Sequence, residues 1–337
     1  MGFRALLTDK DAEGKVTSSV QMLDDARLPE GNVTVDIDWA GLNYKDGLCL
    51  TGGGGLVRTY PHVGGIDFAG TVRDSSDARY KVGDQVVLTG WRVGETHWGG
   101  YAERARVNAD WLVPLPQGLT TRDAMIVGTA GLTAMLAIDR LEAAGLTPEA
   151  GEVLVTGAAG GVGTIAISML ARLGYQVAAL SGRPQHAEAL KALGAASVVD
   201  RNEFLAQPDK VLESARWAAV IDNVGGKVLG KVLKQVKYGG SVASIGNAGG
   251  IELSTNVLPF ILRGISLFGI DSVMQPYSTR VAAWARIAGT FDLGAYAGLV
   301  REVGLEELPE AAREILAGEV KGRMLVKVGE SLWDTPS

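Results

Sequence analysis

Residues 153–183, VLVTGAAGGVGTIAISMLARLGYQVAALSGR, decide the fold. The stretch opens on an apolar β-branched run, Val153–Thr156, followed by Gly157, Gly160, Gly161 and Gly163. An apolar helical stretch from Thr164 to Leu173 is stopped by Gly174, and a second apolar run follows at Val177–Leu180. Strand, glycine turn, helix and strand make one βαβ unit, the first half of a dinucleotide-binding fold. Glycines are required because the backbone must pass close to a pyrophosphate, where a Cβ would collide. The helix N-terminus then offers free N–H groups and a positive dipole end to the phosphates. Ala158 takes the place of the first glycine of the common G-x-G-x-x-G, so the chain reads G-x-x-G-x-x-G through Gly157, Gly160 and Gly163. A glycine-rich turn without a ligand is the bland alternative. The position after a strand and before a helix favours the nucleotide.

The end of the second strand selects the nucleotide. An acidic residue about 20 residues past the glycines holds the ribose 2′-OH of NAD. No Asp or Glu occurs between Gly163 and Glu188, and Ser181, Gly182 and Arg183 stand there instead. A hydroxyl, an open backbone and a guanidinium suit a 2′-phosphate, which Arg can pair bidentately. Arg183 as a solvated loop charge is the alternative. The expected cofactor is NADPH.

At 337 residues the chain exceeds what one hydrophobic core usually serves. The segments read as 1–123, a first part of a catalytic domain, 124–271, the nucleotide domain, and 272–337, a return to the first domain. An apolar content of 47% and a charged content of 21% are those of a soluble globular protein. The net charge of −6 argues against nucleic acid or an anionic membrane as partner. The one cysteine, Cys49, cannot form an internal disulfide. Residues 153–171 carry no charge, but four glycines split them, so they read as a buried strand and helix rather than a membrane span. The N-terminus, MGFRALLTDKDAEG, is charged too early for a signal peptide. A cytoplasmic enzyme is expected.

Residues 1–122 carry many short apolar runs with Gly-rich turns, which suggests a small, partly open barrel. Within them, Gly41–Asp46 places polar residues directly after a strand, where Asn43 and Asp46 can simply cap a helix. In Thr89–Tyr101, Trp91 and Trp98 read equally as pocket walls or as core aromatics. From 153 onward, strands alternate with helices, including one expected near 209–215, and six strands complete a Rossmann-type doubly wound parallel sheet. Arg201, Asn223 and Asn247 fall at carboxyl ends of its strands, where ligands meet such sheets. Lys227, Lys231, Lys234 and Lys237 lie at helical spacing, the pattern of a solvated face; docking of a phosphorylated substrate tail is the alternative. The last strand of the sheet, near 265–270, is apolar and expected at the edge, where pairing with a second copy would cover it; a homodimer is expected.

These stretches together resemble the medium-chain dehydrogenase/reductase superfamily. Asn43-Tyr44-Lys45-Asp46, Gly65–Gly70, Thr89–Gly100 and Gly128-Thr129-Ala130-Gly131 are similar to its zinc-independent quinone-oxidoreductase branch, and within it to the acrylyl-CoA reductase subfamily. The resemblance implies a GroES-like barrel domain beside the Rossmann-type sheet, and reduction of a short enoyl-CoA, acryloyl-CoA to propanoyl-CoA, by NADPH. NADPH:quinone or enone reduction, or a non-catalytic NADPH-binding sensor, are the alternatives. By resemblance, Tyr44 positions or protonates the substrate or lies against the cofactor, and Asn43 polarises the carbonyl. The resemblance also implies a cofactor site of Tyr44, Ala159, Gly160, Gly161, Val162, Ser181, Gly182, Arg183, Arg201, Asn247, Ser272 and Arg323. Zinc-dependent members place Cys and His ligands where this chain has Asn43 and Ile66, so no metal is expected. Arg92 stands where the subfamily pattern has glycine.

Overall fold

The computed structural model describes residues 2–329. In chain order the elements are β1 (Gly2–Lys10), β2 (Val16–Asp24), β3 (Val33–Leu42), α1 (Tyr44–Thr51), β4 (His62–Val63), β5 (Asp67–Ser75), β6 (Gln85–Thr89), β7 (Arg104–Val107) and β8 (Leu112–Pro114). Then follow α2 (Thr121–Ala143), β9 (Val153–Thr156), α3 (Gly161–Arg172), β10 (Val177–Ser181), α4 (Ala187–Ala192), β11 (Ala195–Asp200), α5 (Arg201–Ala206), β12 (Trp217–Asp222), α6 (Gly226–Leu233) and β13 (Val236–Ser244). The chain closes with α7 (Leu258–Arg263), β14 (Ser266–Gly269), α8 (Tyr277–Thr290), α9 (Leu293–Tyr296), β15 (Val300–Val303), α10 (Leu308–Leu316) and β16 (Arg323–Lys327).

Two compact units form. Of the described residues, the first holds 2–129, 272–288 and 299–329, and the second 130–271 and 289–298. The division therefore falls at 129/130 rather than at 123/124, and 289–298 leaves the returning segment. The physical reason lies in α2. Its apolar periodicity runs across the sequence boundary, and the helix is interrupted at Gly128 (φ 52, ψ −156), a conformation only glycine adopts without strain. By length and composition α2 could cross a membrane, yet 83% of its most apolar stretch is buried inside the protein, as in a core helix.

In the first unit, β15-β16-β3-β5-β6-β8 form one sheet with β7 on β3, and β2-β1-β4 form a second. All the pairings are antiparallel except β15 with β16. Inward residues of these sheets, among them Phe3, Ile37, Leu42, Phe68, Leu88, Tyr101 and Leu112, share one buried cluster. This is the antiparallel-rich GroES-like architecture that the family resemblance implies.

The second unit carries the predicted six-stranded parallel sheet in the order β11-β10-β9-β12-β13-β14. The central strands β9, β10 and β12 are almost wholly apolar and are buried at every residue, because both of their faces are covered. The order reverses between β9 and β12, the switch point at which such sheets receive ligands. β14 is the edge strand, as expected.

Two expectations need correction here. The helix near 209–215 is absent: Asp200 caps α5 by accepting from the N–H groups of Asn202 and Glu203, so the helix forms earlier, over Arg201–Ala206. Residues 207–216 are instead irregular and pinned by side chains. Lys231 Nζ bonds Glu213 at 2.8 Å and the carbonyls of Gln207 and Pro208, while Lys234 Nζ meets Asp209 at 2.6 Å. The lysine row is consequently no solvated face. Lys231 and Lys234 are buried in those contacts, and Lys227 alone of the four is exposed.

Candidate functional site

In the second unit the turn after β9 and the first turn of α3 present the phosphate-binding geometry. Ala158 and Ala159 are buried, while Gly160 is exposed and Gly161 and Val162 are half-buried, at the end of α3 whose N–H groups lack helical partners. Thr164 Oγ1 donates to the Gly160 carbonyl at 2.8 Å and fixes the turn. One strand over, Ser181 closes β10, and its Oγ accepts the Arg183 backbone N–H at 3.1 Å. A Cβ on Gly182 would lie 2.6 Å from the Arg201 guanidinium, so that side chain lies across the glycine that precedes Arg183 in the chain. Neither Arg183 nor Arg201 has a carboxylate within ion-pair reach among the described residues. Two unneutralised guanidinium groups at the carboxyl edge of the sheet form a ready anion site. Asn247 is exposed three residues past β13.

Asn223, at the end of β12, was expected at this rim without a role. Its Nδ2 donates to the Thr156 carbonyl at 2.8 Å, yet its buried Oδ1 finds no donor among the described residues. A buried acceptor left open beside Gly157 suits a ligand that brings a hydroxyl or amide donor. Glycine turn, paired arginines and open acceptor together fit a phosphorylated dinucleotide.

The first unit gathers Tyr44, Asn43 and Arg323 around the start of α1. Tyr44 is the first helical residue and is 56% exposed. Asn43 does not present a free amide. Its Nδ2 donates to Asp46 Oδ2 at 3.2 Å and to Asp67 Oδ2 at 3.0 Å, and its Oδ1 accepts from Arg323 Nη1 at 3.0 Å. Every polar atom of the side chain is engaged in this network at the start of α1, where Asp46 Oδ2 accepts the Asn43 N–H as a helix cap. Arg323 is 3% exposed, and its guanidinium donates to Asn43 and to the carbonyls of Ile126 and Met125. Ser272 lies in this unit at half-burial, with its carbonyl accepting from Arg280 Nη2 at 3.1 Å.

Two carboxylates lie beneath this network: Asp46, which the sequence offers as a cap, and Asp67, to which sequence reasoning gave no role. Asp67 is fully buried and accepts from the N–H groups of Gly41 at 3.0 Å and Thr129 at 2.7 Å. Asp46 accepts from Asn43 N and Ile66 N, both at 2.9 Å. Burial, aided by the Asp67 charge, raises its pKa to about 7. The available signal was an Asp inside an otherwise apolar run, Gly65–Gly70.

Thr89–Gly94 is the other unusual backbone. Trp91 (φ 55) and Arg92 (φ 57) follow Gly90 (φ 77), and they are the two non-glycine residues at positive φ among the described residues. The left-handed conformation costs a non-glycine residue about 1–2 kcal/mol. Glycine would adopt this conformation at 92 without that cost. Arg280, 1% exposed, holds the turn: its guanidinium bonds the carbonyls of Thr89, Ser272 and Val273 and lies 4.9 Å from the Trp91 ring centroid. Trp91 and Trp98 are partly buried and pack against the barrel core.

Residues 29–117 match the alcohol dehydrogenase GroES-like domain, and residues 161–288 match the family of zinc-binding dehydrogenases. The chain is 57% identical over 327 residues to the acrylyl-CoA reductase AcuI of Ruegeria pomeroyi, covering 97% of this chain and 99% of that protein. The chain belongs to the acrylyl-CoA reductase family of medium-chain dehydrogenase/reductases. It is also similar to the Escherichia coli YhdH structure with bound NADPH (53% identity, TM-score 0.93, covering 96% of this chain and 100% of that one). A third relative is the Bacillus subtilis yhfP structure with NAD bound (46% identity, TM-score 0.94, covering 97% and 100%). Although one matching family model is named for zinc, no group of three or more His, Cys, Asp and Glu in this acrylyl-CoA reductase family member is placed to hold a metal ion among the described residues.

Proposed function

We propose that this protein reduces the 2,3 double bond of a short enoyl-CoA, acryloyl-CoA to propanoyl-CoA, with NADPH. The observation that carries the reading is the 57% identity along 97% of the chain to an acrylyl-CoA reductase, joined to two free arginines at the edge of a dinucleotide sheet. NADPH, when bound, supplies the hydride that the β-carbon accepts. The protein must hold the phosphates and stabilise the charge that develops on the thioester oxygen. It must also let a proton reach the α-carbon. The turn Ala159–Val162 receives the pyrophosphate, Ser181–Arg183 with Arg201 take the 2′-phosphate, and Asn247, Ser272 and the Asn223 acceptor complete the cofactor contacts. Tyr44 is the exposed hydroxyl at the first turn of α1 and serves as hydrogen-bond or proton donor. Asn43, Asp46, Asp67 and Arg323 keep that turn in place.

A quinone reductase is the second reading, because the Bacillus subtilis relative is named a putative quinone oxidoreductase at 46% identity. NADPH oxidation by the purified protein with acryloyl-CoA, crotonyl-CoA and a simple quinone decides between them. The expected kcat/KM order is acryloyl-CoA, crotonyl-CoA, then the quinone far behind. A quinone that outruns both thioesters establishes the second reading, and no oxidation with any acceptor establishes a non-catalytic binder.

The proposed working form is a cytoplasmic homodimer. β14 is an open edge, and Ile251, Val257, Ile261 and Leu262 are exposed on the segment before it. An apolar edge of this kind is an aggregation hazard unless a second copy covers it. Light scattering should give twice the chain mass of 35.3 kDa; a monomer at micromolar concentration would contradict the dimer.

A further inference from the structure

We propose that Arg92 is a specificity residue whose guanidinium binds a phosphate of the CoA portion of the substrate, an assignment that rests on the acyl-CoA reading above. The backbone around it is held from several directions. Trp91 N donates to the Val273 carbonyl at 2.9 Å, Gly94 N to His97 O at 2.8 Å, and Glu95 N and Thr96 N both to Arg92 O, at 3.1 and 3.0 Å. His62 Nε2 meets the Gly94 carbonyl at 2.8 Å, and Arg280 braces the other end of the turn. This frame imposes φ 57 on residue 92, which glycine would adopt without strain. A long cation stands there instead, and nothing within the first unit rewards it. Its side chain is exposed and makes no hydrogen bond or ion pair with any described residue. A strained backbone that displays a free charge points outward, to a ligand.

The segment that follows the turn is also bonded to the first turn of α1. Lys45 Nζ bonds Glu95 Oε1 at 2.9 Å, so the turn is tied to the residue next to Tyr44. The acyl end of an enoyl thioester is uncharged in the ground state, and the standing negative charge that a guanidinium can pair with lies on the phosphates of its CoA portion. The other phosphorylated ligand has its own arginines, Arg183 and Arg201, on the second unit.

The test compares Arg92→Gly and Arg92→Lys with the wild-type enzyme, using acryloyl-CoA, S-acryloyl-N-acetylcysteamine (the same thioester without phosphates) and free CoA as competitive inhibitor. In Arg92→Gly the KM for acryloyl-CoA and the inhibition constant of CoA should each rise about tenfold, the loss of one exposed charge-assisted contact. The values of kcat, the KM for NADPH and the KM for the truncated thioester should stay within twofold. The same variant should melt about 2–4 °C higher, because the strain is relieved. Arg92→Lys should keep most of the CoA affinity without that gain in Tm. A KM for acryloyl-CoA unchanged in Arg92→Gly, or a rise shared equally by the truncated thioester or by NADPH, would overturn the assignment. Failure of the wild-type enzyme to reduce acryloyl-CoA would instead overturn the acyl-CoA reading itself.

Discussion

Two groups of cations divide this molecule. Arg183 and Arg201 stand at the carboxyl edge of the parallel sheet without a carboxylate among the described residues, and Arg92 stands free on its turn. Arg323, Arg280, Lys231 and Lys234 are buried; the first three are each bonded to several carbonyls or carboxylates, and Lys234 is paired with Asp209. In the sequence the two groups look alike, because each is a basic residue beside a glycine, a turn or a helix. Their donors tell them apart. A buried cation whose hydrogens all meet internal acceptors fastens segments together, and its charge cannot reach a ligand. A cation left without a partner keeps its affinity for an anion.

The largest expected effect comes from breaking a fastening cation. Arg323→Leu removes the bonds that join β16 to α1 and to the first half of α2, and leaves the buried Asp67 carboxylate with less compensation. Truncating one member of such a buried charged network destabilises by about 3–5 kcal/mol. Urea denaturation should show the midpoint falling accordingly. A change below about 1 kcal/mol would mean that the network holds α1 without Arg323.

The same network gives a pH dependence whose sign follows from Asp46. Its pKa is about 7 in the folded chain against 3.8 unfolded. Between these values the folded state binds more protons than the unfolded one, so stability falls as pH rises from about 4 to about 8. The stabilisation is complete below the unfolded pKa and lost once pH passes the folded one. The change is about 2–4 kcal/mol at most over that window. Urea midpoints measured at pH 5, 6, 7 and 8 should decline, and Asp46→Asn should be flat by comparison while less stable overall. An unaltered slope in Asp46→Asn would assign the titration to another group.

These interior groups also mark where the sequence was hard to read. The parallel sheet was legible because β9, β10 and β12 are uninterrupted apolar runs between glycine turns, and that pattern is local. The barrel strands were legible for the same reason. The helix expected near 209–215 does not form because what fixes this segment is remote: Lys231, Lys234 and Arg263 lie 18, 25 and 50 residues from the groups they hold. Asn43 was assigned to the substrate because its partners Asp67 and Arg323 are brought to it only by the antiparallel pairing of β3 with β5 and β16. The departure at Arg92 was visible as a residue in place of glycine, but its left-handed backbone was not.

The smallest of these effects, and the sharpest test of the contrast, concerns the free pair. If Arg183 and Arg201 grip the cofactor 2′-phosphate, then Arg183→Ala loses a charge-assisted contact worth about 1.5–3 kcal/mol, or about 10- to 150-fold in NADPH affinity. NADH has no phosphate at that position, so its affinity should change less than twofold. Stability should hardly move, because no internal bond of the Arg183 guanidinium is lost; in this it contrasts with Arg323→Leu. Arg201→Ala should act in the same direction, and the double variant should lose less than the sum of the two, since both side chains would share one anion. The NADPH advantage of the wild-type enzyme should also shrink as salt is raised from about 0.05 to 0.5 M, because exposed charges are screened within a Debye length. Titration of each variant with NADPH and NADH by cofactor fluorescence measures all of this without substrate. Equal weakening of both cofactors would show that Arg183 holds the pyrophosphate or the loop, and the division between fastening and free cations would then fail at the position where it is drawn most clearly.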